Sequence, residues 1–485
     1  MATAISVPPS REAGAGFEDL VDFRERLYAC LTKRGDAMFG VVDALSGPVV
    51  VESLAHLSLA DGHERRHGSV YGALSRGEVD ADRLRDELVL ARDPGWPLVF
   101  AVDASTWCRN DAECSAERGD YYHSSRHSNG QPIVAGWSYQ WIAQLNWPAD
   151  SWTAPLDAVR LDPRPEAPGA EQVAAAQIRG LLERLGPTDA VPLFVFDGGY
   201  DPVQLTVELA GARAQTLTRV KSNRIFHLPA PPREPGRPGA PRRHGEKFRC
   251  ADEATWPEPD QVLITSDTQY GTISVAAWHD LHPLQGTYRD PDGAMTIVPG
   301  TLLRVQVERL PGRIDREAKA LWLWWDAPAG TALDLDLAWR AYVRRFDLEH
   351  TYRFVKQALG WTTPKVRTPE QADRWTWLVI AVYTQLRLGR ALVDDHRLPW
   401  QPPLPAKART PGRVRRGFGH LLATTGTPAR PPKSSGRPPG RPRGRRSTPP
   451  SRKRHNGHTP RSPAHARRWG HRSPPDGPTK ACPRK

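Results

Sequence analysis

Two continuous apolar runs, each ending in an aspartate, constrain the fold of this chain more than any other feature. Leu98-Val-Phe-Ala-Val-Asp103 follows the punctuation Pro94-Gly-Trp-Pro97, and Val191-Pro-Leu-Phe-Val-Phe196 runs straight into Asp197. An apolar run without alternation is the pattern of a strand buried on both faces, which belongs in a parallel or mixed sheet covered by helices. The acid at each exit then stands at the rim of that sheet. Between the two runs, residues 132–145 read as one or two strands able to pair antiparallel with the first. Glu171 to Leu185 reads as a helix with Val173, Ala174, Ile178, Leu181 and Leu182 on one side. In Asp197-Gly-Gly-Tyr200-Asp201 the glycines allow a tight strand-to-helix turn, and Asp201-Pro202 supplies an N-cap and a first-turn proline. Asp103 and Asp197 are thus acids delivered at the exits of buried runs, and Asp201 reads as a cap.

The stretch 334–360 reads as one amphipathic helix. Tyr342, Arg345, Glu349 and Lys356 fall within an arc of about 60° along roughly 21 Å of helix. Beside them Ala341, Leu348, Tyr352, Val355 and Leu359 form an apolar stripe that buries the flank and leaves the polar row along a groove. The spacing Tyr-x2-Arg-x3-Glu-x6-Lys resembles the signature around the last acidic residue of DDE transposases encoded by a large class of bacterial insertion sequences. The Asp-x-Gly-Tyr-Asp pattern at Asp197 resembles that family's second catalytic aspartate.

The resemblance spans about 97–390 and implies an α/β fold: an RNase H-like mixed sheet flanked by helices, with a β-rich insertion before the catalytic helix. It implies that Asp103, Asp197 and Glu349 are the catalytic residues and the ligands of two Mg²⁺ or Mn²⁺ ions, hard cations suited to carboxylates and phosphate oxygens. It implies that Tyr342, Arg345 and Lys356 hold phosphates near the cut end, and that the protein works as a homodimer on double-stranded DNA, the transposon ends and the target. The family also has a base-stacking tryptophan about 20 residues before the signature tyrosine, which points to Trp322. Strand alternation in Leu321-Trp-Leu-Trp-Trp-Asp326 puts Trp322 and Trp324 on one face and Trp325 on the other, so the three are not expected all to be core.

The remaining organisation follows from composition. Residues 1–92 read as a compact helical domain, with Phe17, Leu20, Phe23, Leu27 and Leu31 at helical spacing and shorter helices near 38–45, 51–59 and 83–90. Within it, His63 to Arg76 places basic residues beside a short apolar helix, as a helix-turn-helix would; the alternative is a plain helical dimerisation or packing domain, and the resemblance implies DNA end binding. A core in two parts, 93–222 and 331–400, then brackets an insertion, 223–330, with strand-like runs at 262–265, 272–278, 302–307 and 320–325. From Gln401 to Lys485 there are 22 Lys and Arg against one acid, Asp476, which leaves 45 basic and 53 acidic residues in the body. Such a Pro- and Arg-rich tail is expected to be disordered in isolation and to serve as an electrostatic footprint for DNA. Gly436 to Arg446 within it resembles an AT-hook, with Arg441 and Arg443 in the minor groove.

The five cysteines are scattered and odd in number, which argues against a disulfide framework or a zinc ribbon. No apolar run approaches about 18 residues and the first residues lack a signal-peptide pattern, so the expected setting is a bacterial cytoplasm, associated with the nucleoid and without a membrane partner. The function expected is metal-dependent cleavage of insertion-sequence ends and strand transfer into target DNA. The alternatives are a transposase-derived DNA-binding protein without catalysis, which has no need of all three acids, and an RNase H-like nuclease that cuts without joining, which has no need of the Tyr-Arg-Glu-Lys row.

Overall fold

The computed structural model describes residues 11–122, 133–147, 150–233, 240, 242–284, 296–311 and 318–433, with side chains from residue 16 onward. Residues 1–432 make one compact unit. Five helices open it: α1 (Arg11–Cys30), α2 (Gly35–Ser46), α3 (Leu54–Leu57), α4 (His67–Arg76) and α5 (Ala81–Leu90). The periodic Leu20, Phe23 and Leu27 are fully buried, as their spacing predicts. Asp80 caps α5 by accepting from the Arg83 amide at 3.0 Å.

The first strand, β1 (Val99–Cys108), is followed by β2 (Gly119–Tyr122), β3 (Ile133–Leu145), β4 (Thr153–Leu161), α6 (Ala170–Leu185), β5 (Leu193–Phe196), α7 (Pro202–Glu208) and β6 (Gln215–Val220). β1 pairs antiparallel with β3 and parallel with β5, and β5 pairs parallel with β6. Asp201 caps α7 as expected, accepting from the amides of Val203 and Gln204 at 2.9 and 3.2 Å. No apolar run in the sequence foreshadows β4. It carries Pro155 and Asp157, and it joins β3 from outside through an irregularity at Ile142/Ala143, the edge position where a proline is tolerated.

The insertion contributes β7 (Ile225–His227), β8 (Lys247–Arg249), β9 (Gln261–Asp267), β10 (Gly271–Pro283), β11 (Gly300–Val307) and β12 (Leu321–Asp326). These strands continue the central sheet: β12 pairs antiparallel with β6, and the 12-stranded order is β2-β3-β1-β5-β6-β12-β11-β10-β7-β8, with β4 on β3 and β9 on β10. One face of β12 packs in the main core through Trp325, and the other packs Trp322 and Trp324 into a second cluster with Phe226, Phe248 and Trp278. All three tryptophans are therefore buried, contrary to the alternation argument, because both faces of the strand are covered here.

The stretch 334–360 is two helices, α8 (Leu335–Arg344) and α9 (Phe346–Gln357), in place of the single one expected. Arg345 keeps right-handed backbone angles, but its carbonyl accepts from the Leu348 amide at 3.0 Å, a tightened turn. The side chains explain where the break falls. Arg344 is drawn outward to the carbonyls of Asn146 and Asp150 and Arg345 inward to two carboxylates, while Phe346 turns out to solvent.

The last elements are α10 (Pro369–Leu388) and α11 (Pro411–Thr425). α10 is buried along most of its length and packs against α1, α2 and β4. The N-terminal helices and the central sheet thus share one hydrophobic core across the boundary expected at residue 92. α11 corrects the expected start of the tail at 401. Val414 and Phe418 are fully buried, and the near-buried Arg415 donates to the carbonyls of Leu45, Val49 and Ala358. No helix among the described residues is long and apolar enough to cross a membrane. Arg441 and Arg443, with the rest of 434–485, lie outside the described residues.

Candidate active site

β1 and β5 run parallel in register, with Val102 opposite Phe196, so Asp103, midway along β1, stands beside Asp197, the first residue past β5. In such sheets the carboxyl ends of the strands are where ligands gather. Each carboxylate is oriented by its own turn: Asp103 Oδ1 accepts from the Ala104 amide at 2.8 Å, and Asp197 Oδ1 from the Gly199 amide at 2.6 Å. The Tyr352 hydroxyl donates to the Asp103 carbonyl at 2.8 Å, which ties α9 to β1. This contact and the burial of Ala341, Leu348, Tyr352, Val355 and Leu359 put Arg345 and Glu349 beside Asp103.

Arg345 is the centre of the arrangement. Its Nη1 donates to Asp103 Oδ2 at 3.1 Å and its Nη2 to Glu349 Oε1 at 3.4 Å, and the residue is 8% exposed. Burial opposes its charge, yet Asp103, Tyr342, Asp197 and Glu349 together hold the guanidinium above its ordinary value. Asp103 is pushed up to about 6, first by burial and then by Asp197 and Glu349, against the pull of Arg345. Tyr342 is raised by burial, with Arg345 and a hydrogen bond from Arg219 acting the other way. The site therefore sets one desolvated acid, Asp103, against one near-buried arginine.

Two expected residues lie elsewhere. Lys356 faces inward: its Nζ donates to the Thr106 carbonyl at 3.3 Å and sits 5.7 Å from the ring centre of Trp361, and burial lowers its pKa. Trp322 is 2% exposed, packed against Phe248, Trp256 and Trp278. It borders the same cavity as Asp197 but has no open face there. Arg219, which reaches Tyr342, escapes sequence reasoning because a lone basic residue in a strand carries no signal.

Among the described residues no group of three His, Cys, Asp or Glu side chains converges to hold a metal ion as the chain stands. The donor chemistry of Asp103, Asp197 and Glu349 nevertheless fits a hard divalent cation. What separates the acids is Arg345, a cation already between Asp103 and Glu349.

On the outer side of the same helix, burial pushes the Asp347 carboxyl up to about 7, with Arg344 opposing from 2.8 Å. A carboxyl whose folded-state value lies above its unfolded one gives stability that is full below about pH 4 and is lost as pH rises through about 7. Asp347→Asn should therefore match the wild type near pH 4 and become more stable at pH 8, by on the order of 2 kcal/mol. Melting curves between pH 4 and pH 8 check this, and parallel curves for the two proteins would rule it out.

A family model described as DDE superfamily endonuclease matches residues 26–283, just over half of the chain. The matched stretch takes in Asp103 and Asp197 and stops before Glu349. No curated protein matches the chain.

Proposed function

From the premise that this chain belongs to the DDE superfamily endonucleases, we propose that it is a transposase that cuts DNA at insertion-sequence ends and joins those ends to target DNA. The observation that carries the reading is the meeting of Asp103 and Asp197, on adjacent parallel strands, with Glu349 through Arg345. The strand order β4-β3-β1-β5-β6, with β3 antiparallel and β5 and β6 parallel to their neighbours, supports an RNase H-like core.

Asp103, Asp197 and Glu349 would hold Mg²⁺ or Mn²⁺. Two such ions, when bound, supply activation of an attacking oxygen and stabilisation of the leaving one. Tyr342 and Arg345 stand beside the acids, where a phosphate would need donors, and Arg345 is free for that contact once its carboxylates have another cation. Hydrolysis at the end leaves a 3′-hydroxyl, and that hydroxyl attacks a target phosphodiester and expels the target's own 3′-oxygen. Two copies, one at each end, are part of this proposal.

The test is incubation of the full chain and Mg²⁺ with DNA carrying the inverted repeats that flank its gene, read on sequencing gels. Freed 3′-hydroxyl ends and joined products support the reading. Cutting without joining makes it a nuclease, and binding without cutting a DNA-binding protein.

The tail enters as a second expected result. Truncation after Pro432 spares α11 and removes the densely basic end, so it should weaken sequence-independent DNA binding and flatten its salt dependence by roughly 0.9 in log–log slope per lost phosphate contact. Gel-shift titrations at several salt concentrations decide it, and superimposable curves would make the tail idle.

A further inference from the structure

Beside Asp197 a cavity of about 1000 Å³ opens between the Asp197–Gly199 turn, the end of β6 and the insertion. Its lining carries four cations, Arg219, Lys221, Arg304 and Lys319, against two carboxylates, Asp197 and Glu253. Nearby arginines are differently placed: Arg224 reaches Asp201 at 3.9 Å and Arg249 reaches Asp252 at 3.7 Å. Among the described residues none of the four cavity cations is in an ion pair with a carboxylate.

Arg304 is held in a way that its neighbours are not. Its guanidinium carbon lies 5.2 Å from the ring centre of Trp256. That indole is itself fixed, stacked on Phe248 at 6.0 Å and 12° and donating from Nε1 to the Arg249 carbonyl at 2.7 Å. The Arg304 Nε is buried without a partner. A guanidinium held over a ring, with no carboxylate in ion-pair reach, presents its remaining donors to an anion from outside. A single phosphate would need one such donor group. Several separate cations along a cavity at the upper end of ligand-pocket size suit a polyanion with repeated charges.

We infer that this cavity is a track for the phosphate backbone of the DNA strand that passes Asp197, with Arg219, Lys221, Arg304 and Lys319 as its contacts and Trp256 as the positioning residue for Arg304. The inference rests on the DNA-cleaving reading above and adds the path that the strand takes toward the insertion. The insertion thereby gains a role, since β11 and the approach to β12 bring Arg304 and Lys319 to the catalytic edge.

The test is fluorescence anisotropy of the full chain with labelled end DNA, in chelator so that cleavage does not enter, across a range of salt. Lys221 and Lys319 are exposed, so Lys221→Ala/Lys319→Ala removes two contacts without touching the core. The log–log salt slope is expected to become shallower by about 1.8 and affinity at 0.15 M salt to fall at least tenfold. Lys407→Ala, at an exposed lysine of another cavity, should leave both unchanged. Trp256→Phe keeps a flat ring under the guanidinium and should bind as the wild type, whereas Trp256→Leu should lose about one contact. An unchanged slope in the double variant overturns the track, and so does an equal loss from Lys407→Ala, since binding would then follow general surface charge. If the wild type binds but never cuts, the transposase reading fails and the track stands. If the wild type cuts and the double variant keeps its slope, the track alone fails.

Discussion

Asp103→Asn, Asp197→Asn and Glu349→Gln are each expected to reduce Mg²⁺-dependent cleavage of end DNA by about a thousandfold or more while leaving end binding within a few-fold of the wild type. Each substitution removes one charged oxygen donor and keeps the size of the side chain. Losing several kcal/mol of transition-state stabilisation corresponds to that factor, because every 1.36 kcal/mol is tenfold in rate. Binding should survive, since most contacts to DNA are made to phosphates away from the reacting one. The local structure should survive too. Asn at 197 can still accept from the Gly199 amide that now bonds Asp197 Oδ1, and Asn at 103 can accept from the Ala104 amide. Gel assays for cleavage, paired with anisotropy for binding, provide the check. Wild-type cleavage in any one variant would remove that residue from the catalytic set.

How much of this is legible in the sequence depends on whether the signal is local. Asp103 and Asp197 can be read because a both-faces-buried segment is a run of consecutive apolar residues and the acid is the next letter, although β1 itself continues past Asp103 to Cys108. The strands of the insertion, from β9 to β12, are legible as short strand-like runs between turn signals. The apolar stripe of 341–359 is legible because helical periodicity is also local. What fails is set by tertiary partners. The break at Arg345 goes with the pull of Asp103, far away in sequence, on its side chain, and no proline or glycine announces it. β4 hides behind Pro155 and Asp157, whose partner is Arg85 of α5 at 2.6 Å.

α11 is invisible to a composition argument that counts arginine as surface. Arg413 and Arg415 are in fact near-buried, and the Thr410-Pro411 start of the helix and its apolar Val414 and Phe418 are outweighed by the basic residues around them. Trp256 and Arg304 illustrate the same limit at the site. Each is an unremarked residue alone, and only the fold puts one on the other beside Asp197.

The second large effect is expected at Arg345. Arg345→Gln leaves Asp103, Asp197 and Glu349 facing each other with their shared cation gone, and removing one partner of a buried ion pair costs about 3–5 kcal/mol. The cost must depend on pH. Asp103 has a folded-state value of about 6, already above its unfolded one even with Arg345 in place, so its contribution to stability is full below about pH 4 and declines as pH rises through 6. Without the guanidinium its carboxyl holds the proton to still higher pH, and the decline reaches further. The variant should therefore lie close to the wild type at pH 5 and lose on the order of 3 kcal/mol at pH 8 in chelator.

A divalent cation supplies what was removed. Added Mg²⁺ should stabilise the variant at pH 8 by about 2.7 kcal/mol at a hundredfold excess over its dissociation constant. It should stabilise the wild type less at the same concentration, because there it has to displace Arg345. Urea titrations of both proteins with and without Mg²⁺ read this without reference to catalysis. Equal stability of variant and wild type at pH 8, or equal stabilisation of both by Mg²⁺, would mean that the arginine is not standing where a cation goes.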